Sequence, residues 1–197
     1  MIIKVMVSLL IGFIFGMIPF SYIIGKIKGI DLKRSGSGNI GATNLGRILG
    51  LKFFILGFLL DGAKGLIPVV IAHQGQLMPA IAGVGAIVGH IFNPLFKFRG
   101  GKGVSTTIGV ISGIVPKQFF ISLGAWLIVY FCTFIVSLAS ITFAIVLLFT
   151  TLISADTTQM VKGLILLIVV LIIIAHRSNI KRLLKKTEPK TIFWRKG

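Results

Sequence analysis

Cysteine and acidic residues are scarce in this sequence, and each shortage excludes a class of site. Cys132 is the only cysteine, so the sequence predicts neither a disulfide framework nor a thiolate metal site. The four acidic residues, Asp31, Asp61, Asp156 and Glu188, are scattered along the chain, and the three histidines do not complete a metal-binding set with them. We therefore assign no metal and expect no carboxylate general base.

Apolar residues make up much of what remains. They account for 55% of the 197 residues, and the mean hydropathy is +1.03, which is more apolar surface than a soluble core needs. The long apolar runs predict an all-α, polytopic integral membrane protein. No polar stretch is long enough to fold separately, so residues 1–197 are expected to form a single membrane-embedded domain.

The apolar runs predict about seven membrane crossings. The N-terminal run is interpreted as a span rather than a cleaved signal, because no small-residue cleavage site follows it. The fourth span is short, since 12 residues at 1.5 Å each reach about 18 Å of a core about 30 Å thick. The predicted spans are Ile2–Gly25, Phe53–Ala72, Leu77–Phe96, Val104–Val115, two within Phe119–Ser154 that separate near Thr133–Ser140, and Val161–Ala175.

The basic residues set the predicted orientation. The net charge is +17, and most of the 21 lysines and arginines fall in the loops after spans one and three and in the C-terminal tail. Lys4, Lys117 and Lys162 fall on the other side. Cytoplasmic loops carry such an excess of positive charge, so the N-terminus is predicted outside and the C-terminus in the cytoplasm. We interpret these charges as topology signals and contacts with membrane lipid, and predict no nucleic-acid partner.

Three polar, basic segments interrupt the apolar chain where spans end. They are Arg34–Asn44, His90–Gly103 and His176–Arg182, here called the first, second and third polar segments. Even numbers of crossings separate them, so all three are predicted on the cytoplasmic face. Together they offer many backbone N–H groups and positive charges, and a site of that kind suits phosphate.

The segments contain the side chains that bind phosphate. Glycines let backbone N–H groups converge on an anion, Arg47 can bind phosphate through two N–H groups, and Lys102 is a mobile point charge. The candidate binding residues are Ser37, Gly38, Asn39, Gly41, Thr43, Asn44, His90, Arg99, Gly100, Gly101, Gly103 and Arg182, and the candidate catalytic residues are Ser35, Arg47, Lys102, His176 and Asn179.

Other interpretations of these residues stay open. Glycine, serine and asparagine clusters commonly form simple turns, and histidines at span ends are commonly hydrogen-bonded interfacial residues. Gly36, Gly38 and Gly41 have the spacing of a dinucleotide-binding loop, but no strand precedes them. Asp61 and Lys64 lie three residues apart inside a span, where they form either a structural ion pair or part of the site.

The segments resemble the motifs of the bacterial acyl-phosphate:glycerol-3-phosphate acyltransferases. Ser35–Asn44 with Arg47 is similar to the first motif of that family, Gly89–Val104 to the second, and His176–Arg182 with Glu188 to the third. The turn Asp61-Gly-Ala-Lys-Gly65 also fits the second span of the family. The resemblance covers nearly the whole chain, from about Ile18 to Trp194.

This resemblance implies a reaction and a location. A fatty acyl phosphate gives its acyl group to the sn-1 hydroxyl of glycerol 3-phosphate, and the products are lysophosphatidate and inorganic phosphate. The substrates are then the two phosphorylated compounds, with no cofactor and no obligate protein partner. The location implied is the bacterial inner membrane, with the site facing the cytoplasm.

The mechanism leaves two questions open. We expect Gly100–Gly103 with Lys102 to hold one phosphate, and we favour that of glycerol 3-phosphate. We expect the first and third polar segments to hold the other phosphate and the glycerol hydroxyls. Either His176 or an oxygen of the acyl phosphate takes the hydroxyl proton, and the scarcity of carboxylates favours the substrate. The rival function is a transporter for a phosphorylated solute, although the odd number of spans and the absence of clear repeat halves argue against it.

Overall fold

The computed structural model describes residues 1–193, and their regular structure is entirely helical. A 3-10 turn covers Pro94–Phe96. The α-helices are α1 (Ile2–Met17), α2 (Phe20–Ile27), α3 (Ala42–Leu49), α4 (Leu51–Gln74), α5 (Pro79–Ile91), α6 (Val104–Ile114), α7 (Pro116–Thr133), α8 (Val136–Ile153), α9 (Gln159–Ala175) and α10 (Arg177–Leu184).

Several helices are long and apolar enough to cross a membrane, which confirms the predicted class. Four qualify among the described residues, namely Ile2–Ile27, Leu51–Gln74, Pro79–Phe96 and Val136–Ile153, and the pair α9 and α10, bent by 60°, makes a fifth. α6 has 11 residues, about 17 Å at 1.5 Å each, so the predicted fourth span is as short as expected. The count of seven and the sides of the termini stay predictions.

The structure interrupts two of the predicted apolar runs. The first span is broken in the middle, because Ile18 is extended and Pro19 has no backbone N–H to continue the helix. The run Phe119–Ser154 divides at Phe134, whose backbone is left-handed, and this division lies inside the predicted interval.

The chain divides into two compact units. Among the described residues, unit 1 comprises Met1–Gly113 with Ile192 and Phe193, and unit 2 comprises Ile114–Thr191. Unit 1 therefore carries α1 to α6 and the first two polar segments, while unit 2 carries α7 to α10 and the third. The expectation of a single domain stays a prediction.

In unit 1, glycines allow α1 and α5 to pack with their backbones in contact. A methyl group on Gly12 or Gly16 of α1 would collide with carbonyl groups of α5. The same holds in reverse for Gly85 and Gly89 of α5, which lie against carbonyl groups of α1. The glycines of each pair are four residues apart, and small residues at that spacing allow close helix crossings in membranes.

The break in the first span is held by side chains from α4 and from the loop after α5. A helix that ends inside apolar surroundings leaves carbonyl groups without partners, which is costly unless a donor reaches them. The Asn93 amide donates to the Met17 carbonyl at 2.7 Å, and the Lys64 ammonium donates to the Ile18 carbonyl at 2.6 Å. These two bonds allow the span to bend at Pro19 without exposing unpaired backbone.

In unit 2, the chain after α10 returns to the turn between α7 and α8. The Thr191 backbone N–H donates to the Phe134 carbonyl at 2.7 Å, and the Tyr130 hydroxyl donates to the Thr191 carbonyl at 3.0 Å. Tyr130 also stacks on Trp126, with the ring centres 5.0 Å apart. The chain after α10 is thereby fixed to the helix hairpin formed by α7 and α8.

The close crossing of α1 and α5 can be tested at Gly85. We expect Gly85→Leu to destabilise the protein by about 1–3 kcal/mol or more, because the added side chain meets the Leu9 backbone rather than a mobile group. Thermal unfolding in detergent measures the change. The matched control is Gly163→Leu, since Gly163 is exposed and has nothing within 4 Å of the added carbon. Equal melting temperatures for the two variants would contradict the crossing.

Candidate active site

The first polar segment is organised around the buried side chain of Asn44. Its amide nitrogen lies 3.1, 3.0 and 2.8 Å from the carbonyl oxygens of Leu32, Ser35 and Asn39, and its oxygen accepts the Ser37 N–H at 2.8 Å. Asn44 is only 1% exposed. The hydrogen-bonding groups of Asn44 are therefore used to shape the loop, and its predicted binding of phosphate stays a prediction.

The glycines of this segment serve the same loop. Gly36 and Gly38 have φ angles of 59° and 70°, which L-residues rarely adopt, and Gly36 lies against the Asn44 side chain. The N–H groups of Gly38 and Gly41 donate to the Ser35 carbonyl and the Asn39 side chain, at 3.1 and 2.9 Å. The backbone N–H groups of Gly38 and Gly41, predicted to face an anion, thus have partners inside the loop.

The side chains best placed for an anion in this segment lie on α3. Thr43 and Arg47 are half-buried and four residues apart, so they share one face of the helix. Ser35 is half-buried and Ser37 exposed at the entrance of the same loop. A hydroxyl and a guanidinium on one helix face can bind phosphate together.

The second polar segment uses its glycines for close contact with the end of α5. The Gly100 and Gly101 N–H groups donate to the Ile91 and His90 carbonyls at 2.9 and 3.1 Å. Gly101 also lies directly against the His90 imidazole, where any side chain would collide with it. These two N–H groups therefore do not form the predicted phosphate nest, and the glycines are required for packing.

The His90 side chain packs against this loop. It is 6% exposed and its ring lies against Gly101, so it supports the loop, and its predicted contact with substrate stays a prediction. Lys102 is half-buried and stands two residues before α6, and Gly103 has a φ of 82° that lets the helix begin there. Because the Gly100 and Gly101 N–H groups are used within the loop, Lys102 and the N-terminus of α6 are the groups of this segment that could bind an anion.

Phe96, in the second polar segment, contacts Lys33, the residue just before the first polar segment. The Lys33 ammonium lies 4.4 Å from the centre of the Phe96 ring, and Tyr22 packs edge-on against the same ring at 4.9 Å. Such a contact between an ammonium and an aromatic face is favourable. Unit 1 thus brings the two segments together, while Arg99 lies exposed after the left-handed residues Lys97 and Phe98.

The buried ion pair predicted in the second span is present. The Lys64 ammonium and the Asp61 carboxylate are 2.8 Å apart, and both side chains are 2% exposed or less. The Ser21 hydroxyl donates to the second carboxylate oxygen of Asp61 at 2.6 Å. Both charges therefore have partners inside the span, as buried charges require.

The third polar segment, in unit 2, is centred on Glu188. One carboxylate oxygen accepts from the Ser137 hydroxyl at 2.7 Å and the Asn179 amide at 2.6 Å, and the other accepts from Arg182 Nε at 2.6 Å. In the sequence, Glu188 was singled out only through the family motif, because it lies beyond the end of the third polar segment. It orients two of the predicted site residues.

The surroundings of Glu188 favour its charged form. Burial of the carboxyl raises its pKa, but the hydrogen bonds from Arg182, Ser137 and Asn179 and the Arg182 charge outweigh burial, so the pKa of Glu188 lies below its usual 4.5. The ionised carboxylate is thus the form that holds Asn179 and Arg182 in place.

His176 has a fixed ring orientation in the same unit. Its Nδ1 atom lies 2.8 Å from the Ile172 carbonyl oxygen, and the residue is 1% exposed. A carbonyl oxygen can only accept, so Nδ1 carries a hydrogen and donates it to Ile172. This bond fixes the orientation of the His176 ring.

The Glu188 network gives a pH-dependent contribution to stability. Because the folded-state pKa is depressed, this contribution is present above the unfolded pKa and is lost as the pH falls through the folded pKa, below about pH 5. We expect Glu188→Gln to lower the melting temperature at pH 7 and to flatten its fall under acid. The exposed pair of Lys117 and Asp156 provides the control Asp156→Asn, which should leave the acid profile nearly unchanged. Parallel profiles for Glu188→Gln and the unmodified protein would contradict the role of this network.

Known proteins match this chain over nearly its full length. A family model described as glycerol-3-phosphate acyltransferase matches residues 6–186. Proteins named glycerol-3-phosphate acyltransferase from Aquifex aeolicus and Macrococcus caseolyticus are 39% and 40% identical over 189 and 194 residues. These alignments cover 94% and 96% of this chain and 98% of each relative.

Two solved structures share the fold. The crystal structure of PlsY (YgiH), an integral membrane glycerol 3-phosphate acyltransferase, in its glycerol 3-phosphate form has a TM-score of 0.88 and 36% identity, covering 94% of both chains. Its lysophosphatidic acid form has a TM-score of 0.86 and 35% identity over the same share. These matches confirm the resemblance indicated by the three polar segments, and the chain belongs to the glycerol-3-phosphate acyltransferase family.

Proposed function

We propose that this protein transfers a fatty acyl group from acyl phosphate to the sn-1 hydroxyl of glycerol 3-phosphate, giving lysophosphatidate and inorganic phosphate. Family membership supports the acceptor, because relatives carry that name and one solved relative is in a glycerol 3-phosphate form. The observation that carries the proposal is the arrangement in unit 1. Arg47, on α3 just after the first polar segment, and Lys102, in the second, are both cations of unit 1, and neither of these two segments contains an acidic residue.

The chemistry of this donor suits such a site. An acyl phosphate is a mixed anhydride with a good leaving group, so the reaction needs little covalent help from the protein. The main obstacle is the repulsion between two phosphorylated substrates held side by side. Cations fixed near both phosphates remove that repulsion and bring the hydroxyl close to the carbonyl carbon.

We assign roles to the residues on this basis. Lys102 with the N-terminus of α6 holds one phosphate, with preference for glycerol 3-phosphate. Ser35, Thr43 and Arg47 bind the other phosphate. For unit 2, the assignment of His176 and Asn179 to the glycerol hydroxyls stays a prediction from the sequence.

Asn179 has the geometry expected for that assignment. Its amide nitrogen is fixed on Glu188, whereas its buried oxygen accepts no hydrogen bond from the described residues. Buried polar atoms without partners are uncommon in native proteins. A substrate hydroxyl that donates to this oxygen would satisfy it.

His176 is proposed to orient the attacking hydroxyl rather than to remove its proton. In this role the His176 ring contacts the hydroxyl, and a leaving phosphate oxygen takes the proton as the ester bond forms. The C–O bond to the glycerol oxygen forms, the C–O bond to phosphate breaks, and the proton ends on inorganic phosphate. No acidic residue of the polar segments is needed in this step.

We further propose that the protein lies in the bacterial inner membrane with its site facing the cytoplasm. The helices of spanning length and the integral membrane relative support a membrane location. The concentration of basic residues in the loops that carry the polar segments supports the cytoplasmic side.

Phosphate release from acyl phosphate tests the function. Protein in detergent should release phosphate only when glycerol 3-phosphate is also present, and lysophosphatidate should appear in equal amount. Acyl-coenzyme A in place of acyl phosphate should give no product. A phosphate burst without the acceptor would indicate an acyl-enzyme and contradict direct transfer. Absence of turnover with both substrates would favour the rival transporter function.

Substitution of His176 separates the two candidate bases. We expect His176→Gln to reduce kcat by about tenfold, because glutamine still offers a hydrogen-bond acceptor while the substrate supplies the base. Steady-state kinetics measure the change. His73→Gln is the control, because His73 is exposed and lies on α4 outside the polar segments. A loss of about 10⁴ for His176→Gln would make His176 the base instead.

A further inference from the structure

One turn of α4, Asp61–Gly65, contacts two separate parts of unit 1 that each lead into a polar segment. The turn carries both buried charges of the span and two glycines, Gly62 and Gly65. Neither charged side chain has a role in the reaction proposed above. Ionisable residues inside a span are costly and generally functional, so the pair requires an explanation.

The charged side chains of this turn hold the break between α1 and α2. Lys64 donates to the Ile18 carbonyl, which is the last backbone group before the break. Asp61 accepts from Ser21 in the first turn of α2. α2 runs directly towards the first polar segment, so these two bonds set where that segment begins.

The glycines of this turn hold the start of α6. Gly65 lies against the Thr106 carbonyl so closely that a methyl group would collide with it, and Gly62 lies against the Ser105 carbonyl with 3.5 Å to the position of an added carbon. Gly109, one turn later in α6, lies in the same way against the Gly62 carbonyl. Because α6 begins two residues after Lys102, this contact sets the position of that lysine.

We propose that Asp61 and Lys64 are positioning residues that fix the two phosphate-binding segments of unit 1 relative to each other. α2 and α6 are both bound to the same turn of α4, one through hydrogen bonds from charged groups and the other through backbone contact. The inference rests on the proposed function, because it assigns the fixed spacing to the binding of two phosphorylated substrates.

The hydrogen bonds that these side chains make to other segments matter more for positioning than the ion pair itself. A buried ion pair can commonly be replaced by apolar side chains of similar volume with little or no loss of stability. Leucine and methionine at these positions would fill the space, but they could not bond to the Ile18 carbonyl or the Ser21 hydroxyl. A replacement of both residues therefore separates the positioning role from a merely structural role.

The first variant is the double substitution Asp61→Leu with Lys64→Met. We expect the double variant to fold with a lowered melting temperature, because no charge is left unpaired but the Ile18 carbonyl and the Ser21 hydroxyl lose their partners. We expect kcat/KM for glycerol 3-phosphate to fall by on the order of ten- to a hundredfold, as small displacements of binding groups do. The loss should lie mainly in KM, since both segments bind phosphate in the ground state. A folded double variant with unchanged KM overturns the proposal.

The second variant, Ser21→Ala, keeps both charges and tests the same link if the double variant does not fold. It removes the bond to Asp61 alone, and we expect KM for glycerol 3-phosphate to rise by about threefold, the effect of a modest hydrogen bond. The matched control is Ser8→Ala, because Ser8 is an equally buried serine of unit 1 that bonds the Lys4 carbonyl and the Met78 N–H. Equal KM values for the two serine variants overturn the proposal.

The unmodified protein, assayed in the same experiment, separates this inference from the proposed function. Turnover by the unmodified protein with no KM change in the variants refutes only the positioning role. Absence of turnover by the unmodified protein refutes the proposed function, and the positioning role that rests on it falls with it.

Discussion

Backbone carbonyl groups at helix breaks are the constraint on which this structure depends. A membrane helix satisfies its own backbone, but each interruption leaves groups that water cannot reach. Lys64 and Asn93 bond the carbonyls at the break in the first span, and the Gly100 and Gly101 N–H groups bond those at the end of α5. In unit 2 the Thr191 N–H bonds the carbonyl of the turn residue Phe134. Interruptions that carry polar segments are possible only with such partners.

The same constraint determines which groups remain for chemistry. In both polar segments of unit 1 the backbone N–H groups of several glycines are used inside the loop, so the chemistry falls to the side chains that border it. Those side chains are cations and hydroxyls, such as Arg47, Thr43 and Lys102, with no carboxylate in either segment. A site of this composition stabilises anions and offers no strong base, which suits a donor that is already activated.

The sequence predicted the features that follow from hydrophobicity and local spacing. Helical spans, the short α6 and the division near Phe134 follow from the length and composition of apolar runs. The pairing of Asp61 with Lys64 follows from three-residue spacing on a helix. The function followed from the polar segments because their residues and order resemble one family.

The roles of individual site residues were less predictable, because they depend on partners that are distant in sequence. Glycine indicates a close approach or an unusual φ, but not the group that approaches. Gly101 was therefore interpreted as an anion-binding residue, although it accommodates the His90 ring. Asn44 has the same side chain whether it binds substrate or four backbone groups, and Glu188 gains its importance only where Ser137, Asn179 and Arg182 meet it. Neither pattern is visible in local sequence.

The central claim is that fixed cations of an acid-poor site, rather than a glycine nest, bind the phosphorylated substrate. Equilibrium binding of glycerol 3-phosphate to detergent-solubilised protein, measured by calorimetry for the unmodified chain and for Lys102→Ala, tests it most directly. The account predicts saturable binding that Lys102→Ala weakens by about ten- to a hundredfold, as the loss of a charge-assisted hydrogen bond does. Equal affinity in the two proteins would contradict it.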